Sequence, residues 1–181
     1  MGEKRPFSRE NGMPASESLT GIACARGAEN TRGRCAKKMN QTANLWSRVA
    51  ENARTGYDAT NQLLARTEDD EMRSELAAER DDYRNAARDA EEELRKIGEK
   101  ADGKGPLARA GMWAGIRMNT MADRTSSHLA DIVIQGATMG VIDTTKARNE
   151  FPDADRDAQD AASRFITFQQ DAIERMKEFL M

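Results

Sequence analysis

The chain has 181 residues, 33% of them charged and only 5% aromatic, with a formal net charge of −3. That length suits one domain with a modest core, and the composition suits long helices with solvated faces. Residues 1–40 carry eight Lys/Arg against four Asp/Glu and the remainder 20 against 27, so the acidic body argues against nucleic-acid binding, which needs a basic surface to displace counterions.

Residues 1–40 are rich in Gly, Ser, Asn and Arg and hold no sustained apolar period. They read as a disordered or mis-called N-terminal extension, with the bundle beginning at 41 and Met39 as the expected natural start. Cys24 and Cys35 fall here, with no CxxC or His pair beside them to complete a zinc site. No 7–15-residue apolar core follows the basic N-terminus, so no secretory leader is expected. The most hydrophobic stretch, LADIVIQGATMGVI, is short and contains Asp131 and Gln135. It falls below the roughly 18–20 residues of a membrane span. A cytoplasmic protein without membrane or nucleic-acid partners is expected.

Helix A spans about 41–66, with Trp46, Val49, Ala53, Gly56, Thr60 and Leu63 repeating every three or four residues. The segment RTEDDE then ends one helix and starts another, Thr67 serving as N-cap with Asp70 three residues on. Helix B continues to about 97 with Met72, Leu76, Tyr83, Ala87, Ala90, Leu94 and Ile97 on one stripe. Its opposite face, including Asp82, Arg84, Arg88, Asp89, Glu92 and Arg95, is a solvated charge lattice.

The glycine-rich stretch 98–106 is a break that ends on Pro106. Helix C begins near 107 and reaches at least 138, with Gly136 and Gly140 weakening its end. Asp153 or Asp155 caps helix D, about 155–180, whose face is Ala158, Ala161, Phe165, Phe168, Ala172, Met176 and Phe179. Together these segments describe an all-α, four-helix bundle, up-down-up-down or ferritin-like. The nine-residue B–C linker reaches about 30 Å fully extended, which favours the up-down-up-down order; a crossover requires residues 107–115 to leave the bundle. Ala and Gly at Ala53, Gly56, Ala87, Ala90, Ala114 and Ala161 imply closely packed helices and a small apolar area per turn, which self-association or a protein partner would supplement.

Candidate chemistry centres on His128, the one histidine of the chain. At spacings of four and three, Met118, Met121, Thr125, His128, Ile132, Gln135 and Met139 share one side of helix C. That phase points His128 inward, with Asp131 near enough at i+3 to bond its imidazole. Asn119, Asp123, Thr125, His128, Asp131 and Gln135 are then a polar seam setting how the helices meet.

A di-iron or di-manganese bundle needs Glu-x-x-His on two helices and a Glu on each of the others. Here Thr125 stands three residues before His128, and no second histidine exists. Glu51 and Glu79 lie on helices A and B, but Gln169 and Gln170 stand where helix D would need a carboxylate. Met118, Met121 and His128, with Asp131 beside them, could instead suit a soft metal such as Cu(I), against the commoner use of Met as core filler. A Ser–His–Asp triad requires convergent geometry and an oxyanion hole that neighbours on one helix do not readily supply. No cofactor is expected, and catalysis is not.

The segments MNTMADRTSSHLADIVIQGATMGVIDTTKARNEF, VAENARTGYDATNQLL and AIERMKEFL resemble a small family of uncharacterised bacterial proteins with a ferritin-like four-helix bundle, over about 41–181. The resemblance implies the fold and carries no activity. The wider ferritin-like class implies iron oxidation or storage, from whose metal motif this chain departs at Thr125. The expectation is a non-catalytic bundle that self-associates or docks a protein partner; the rival is a metal or redox protein centred on His128 with Met118 and Met121.

Overall fold

The computed structural model describes residues 29–100 and 125–180. Among them lie four α-helices: α1 (Glu29–Leu64), α2 (Asp70–Lys96), α3 (Ser126–Glu150) and α4 (Arg156–Met176), the last followed by one 3₁₀ turn at Lys177–Phe179. The described residues are helix and connecting turn throughout, as the periodicity requires.

Two boundaries differ from expectation. α1 starts at Glu29 rather than near 41. Residues 33–40 are mostly exposed and carry no apolar stripe to announce them; helix propagates outward from a packed segment at one hydrogen bond per residue. Lys37 also reaches Asp153 at 3.3 Å, tying this extension to the turn between α3 and α4. α3 starts at Ser126, because Thr125 has extended backbone and its hydroxyl accepts from the His128 N–H. Helix C is therefore not continuous through 125, although it runs unbroken past Gly136 and Gly140 to Glu150.

Local chemistry accounts for the other ends. Asp69, not Thr67, caps α2, its Oδ1 accepting from the backbone N–H groups of Glu71 and Met72 at 2.8 and 3.0 Å. Thr67 is buried instead. Gly98, at φ +80°, closes α2: its N–H donates to the Arg95 carbonyl and that of Glu99 to the Leu94 carbonyl. This paired closure requires the left-handed backbone that glycine adopts at little cost. Asp155 caps α4 through the Ala158 N–H at 2.8 Å.

Cross-helix contacts set the helix directions. The N-terminal half of α1 lies beside the α3–α4 turn, where the Asp155 N–H donates to the Thr42 hydroxyl at 2.9 Å. Midway, the Asn52 amide donates to the Thr144 hydroxyl at 3.1 Å. Past the far end of α1, the Ser126 hydroxyl donates to Asp69 at 2.9 Å. α3 thus runs antiparallel to α1, and α2, joined to α1 by a short turn, also runs antiparallel to it. α2 and α3 are consequently parallel, and α3 begins at the end of the bundle opposite that at which α2 finishes. The crossover order replaces the favoured up-down-up-down order, whose linker argument assumed a helix packed in the bundle from 107.

The core has two apolar parts. At the end holding the α3–α4 turn, Leu45, Trp46, Val49, Tyr83, Leu94, Phe165 and Phe168 pack with many alanines of all four helices. At the other end, Leu63, Met72, Leu76, Leu129, Val133 and Met176 form a second cluster. The expected faces of helices A, B and D are the buried ones, with Gly56, Ile97 and Phe179 at their half-buried margins. Glycine permits the close approach foreseen at position 56, where a β-carbon would clash with the ring of Tyr83.

Candidate functional site

The face of α3 is not the one expected. Its buried stripe is Leu129, Ala130, Val133, Ala137, Thr144 and Ala147. Asp131, Gln135 and Met139 therefore face outward and are exposed, Thr125 is an exposed N-cap, and His128 is half-buried in the first turn. Asp131 accepts a hydrogen bond at 2.7 Å from the Gln135 amide on its own helix. These groups lie along the outer surface rather than in a seam between helices. Met118, Asn119, Met121 and Asp123 lie outside the described residues. Among the described residues no three His, Cys, Asp or Glu side chains are grouped to hold a metal ion.

A group of buried polar residues occupies a different place. Between the two apolar clusters lie Thr60, Glu79 and Gln169, all 3% exposed or less, with Tyr83 beside them. Glu79 occupies a core position of α2, one turn from both Leu76 and Tyr83. Among the described residues neither of its carboxyl oxygens has a hydrogen-bond partner, nor does Gln169 Oε1 or Gln62 Nε2. Burial pushes the Glu79 carboxyl up to about 7; Arg175 opposes this, while Glu75 and Asp82 reinforce it. Burial first, and then the neighbouring Glu79, raise the Tyr83 phenol, whose oxygen is hydrogen-bonded to the Gln169 side chain.

Aromatic and ionic contacts surround this layer. Tyr83 meets Phe168 edge-on at 4.9 Å between centroids and Phe165 at 6.0 Å. Arg175 of α4 bridges to Glu75 of α2 at 3.5 Å on the side toward the second cluster. A neutral Glu79 is the state this environment favours, because an isolated buried carboxylate without partners is costly. The sequence carried a signal for it: the apolar stripe of α2 steps from Leu76 to Tyr83, and the position that fills the gap is Glu79. Of the other residues weighed for a metal centre, Glu51 is half-buried beside Arg48 at 3.8 Å, and Gln170 is exposed.

On the outer side of α1 and α2, a cleft of about 440 Å³ is lined by Arg54, Tyr57, Asp58, Arg84, Arg88 and Glu91. Arg54 bonds Glu91 at 2.6 Å, Arg84 meets Asp81 at 3.2 Å and Arg88 meets Asp89 at 3.1 Å. Carboxylates answer its guanidinium groups, which makes it part of the charge lattice rather than an anion site.

No protein-family model matches the chain, and neither a curated protein nor a solved structure does. No helix among the described residues is long and apolar enough to cross a membrane.

Proposed function

We propose that this chain is a non-catalytic, cytoplasmic helical bundle of ferritin-like order that works by self-association through the outer face of α3. The observation that carries the reading is the composition of that face. From Ile132 to Ile142 there is no charged residue, and Met139 and Ile142 stand 67% and 46% exposed. The outer face of α2, by contrast, presents Arg73, Arg84, Arg88, Glu92, Arg95 and Lys96. An uncharged exposed centre with apolar side chains is the usual core of a docking surface. Burying either Met139 or Ile142 fully is worth about 1.5–3 kcal/mol, and a two-fold contact counts each twice. The parallel placement of α2 and α3 supports the ferritin-like order, since bundles of that type have one crossover connection.

Sedimentation equilibrium across the micromolar range tests the reading. The native chain is expected to dimerise reversibly, and the Met139→Glu/Ile142→Glu variant to stay monomeric with unchanged helical circular dichroism. A native chain that remains monomeric overturns it and leaves the face to a different protein.

A further inference from the structure

We infer that the second copy lies antiparallel across α3, with Asp131 of each copy opposite Lys146 of the other. This rests on the self-association reading and adds its geometry. At 100° per residue, Asp131, Gln135, Ile142 and Lys146 fall within an arc of about 60° on the outward side of α3. All four are exposed. The two charges stand about 22 Å apart along the axis, at 1.5 Å per residue, with the uncharged stretch Ile132–Ile142 between them; Asp143, also exposed, lies about 60° outside this arc.

A two-fold axis midway between Thr138 and Met139 pairs positions whose numbers are symmetric about that point. It sets Gln135 against Ile142, Thr138 against Met139, and Asp131 against Lys146. Two opposite-charge pairs then flank an uncharged middle, the distribution of a polar rim around a desolvated core. Parallel packing in register would instead set Asp131 against Asp131 and Lys146 against Lys146, and like charges across an interface disfavour the pairing. The Gln135 amide donates to the Asp131 carboxylate at 2.7 Å on this same exposed face. Because the surface is self-complementary in this orientation, a second copy of the chain satisfies it without any other partner.

Charge reversal is the test, read as the dimer dissociation constant by sedimentation equilibrium at low salt. Asp131→Lys and Lys146→Asp each place like charges opposite one another twice, and each is expected to weaken the dimer about tenfold or more. The Asp131→Lys/Lys146→Asp double variant restores both pairs and is expected to return within about threefold of the native value. Lys146→Gln, which removes a charge without reversing it, should fall between native and single reversal. If the native chain dimerises but the single reversals leave it unchanged, or the double variant fails to restore it, the antiparallel register is wrong while self-association stands. A monomeric native chain removes the reading beneath it.

Discussion

The amide of Gln169 on α4 lies against the backbone of Gly140 on α3, in space that a β-carbon at position 140 would need. That amide belongs to a buried side chain which also hydrogen-bonds the Tyr83 hydroxyl, so it cannot swing aside without losing that bond. Gly140→Ala is therefore expected to destabilise the protein by about 1–2 kcal/mol, the lost hydrogen bond and crowding outweighing the gain in helix propensity. Gly136, in the same helix, has no described residue within 4 Å of an added β-carbon. Gly136→Ala should instead stabilise by about 0.5–1 kcal/mol. Urea unfolding of the two variants checks the opposite signs. In a Gln169→Ala background, Gly140→Ala should lose its cost.

Asp155 has a second kind of conflict. Its carboxylate caps α4 through the Ala158 N–H, yet partial burial raises its pKa, with the cap bond only partly offsetting this. A group with a raised folded pKa loses stabilising effect as pH rises through that value. Asn caps a helix about as well as Asp and carries no charge to desolvate. Asp155→Asn should thus match or exceed native stability at neutral pH, while Asp155→Ala should lose about 1 kcal/mol. Thermal unfolding of both at one pH separates capping from charge.

Asp69 shows the reverse sign. The Met72 N–H first, then the Ser126 hydroxyl, lower its pKa below the ordinary 3.8. Its contribution is present above that value and fades as pH falls through the depressed one. Ser126→Ala removes the contact that links the start of α3 to the cap of α2, so the Asp69 titration should move upward. Carboxyl-carbon NMR through an acid titration measures it; an unmoved midpoint would mean the Ser126 contact does not form in solution.

Helices α1, α2 and α4 were legible because apolar and charged residues alternate strongly around them. Their stripes at Trp46–Leu63, Met72–Leu94 and Ala158–Met176 are the buried faces. The buried face of α3 was not legible because the eleven residues Ile132–Ile142 include no charge to mark an outside. Its phase was carried forward from Met118 and Met121 through Thr125, and the extended backbone at Thr125 breaks that continuity. The same assumption of an unbroken helix hid the crossover order. Glu79 was weighed only as a possible metal carboxylate on helix B, because Asp and Glu are almost never fully buried unpaired and a lone core acid is not the expected reading.

Glu79 makes the pH dependence of this bundle unusual. An unfolded Glu titrates near 4.5, whereas burial raises this one to about 7. The folded state therefore binds the proton more tightly, and the bundle is most favoured where Glu79 is neutral. Its contribution is fully present below pH 4.5 and is lost as pH rises to about 7, above which no further loss occurs. At 1.36 kcal/mol per pKa unit the loss is about 3 kcal/mol. Glu79→Gln keeps the shape and polarity of the side chain but cannot ionise. The native protein should thus be less stable at pH 8 than at pH 5 by an amount of that order, once other groups are matched, and the variant should show little of this slope. Measuring urea midpoints of both proteins at the two pH values isolates Glu79 as the difference of differences. Parallel pH profiles for native and Glu79→Gln would mean that Glu79 is not a neutral acid in the folded core. A variant more stable than native at pH 8 and nearly equal at pH 5 would show that the buried layer between the apolar clusters is built around a protonated carboxyl.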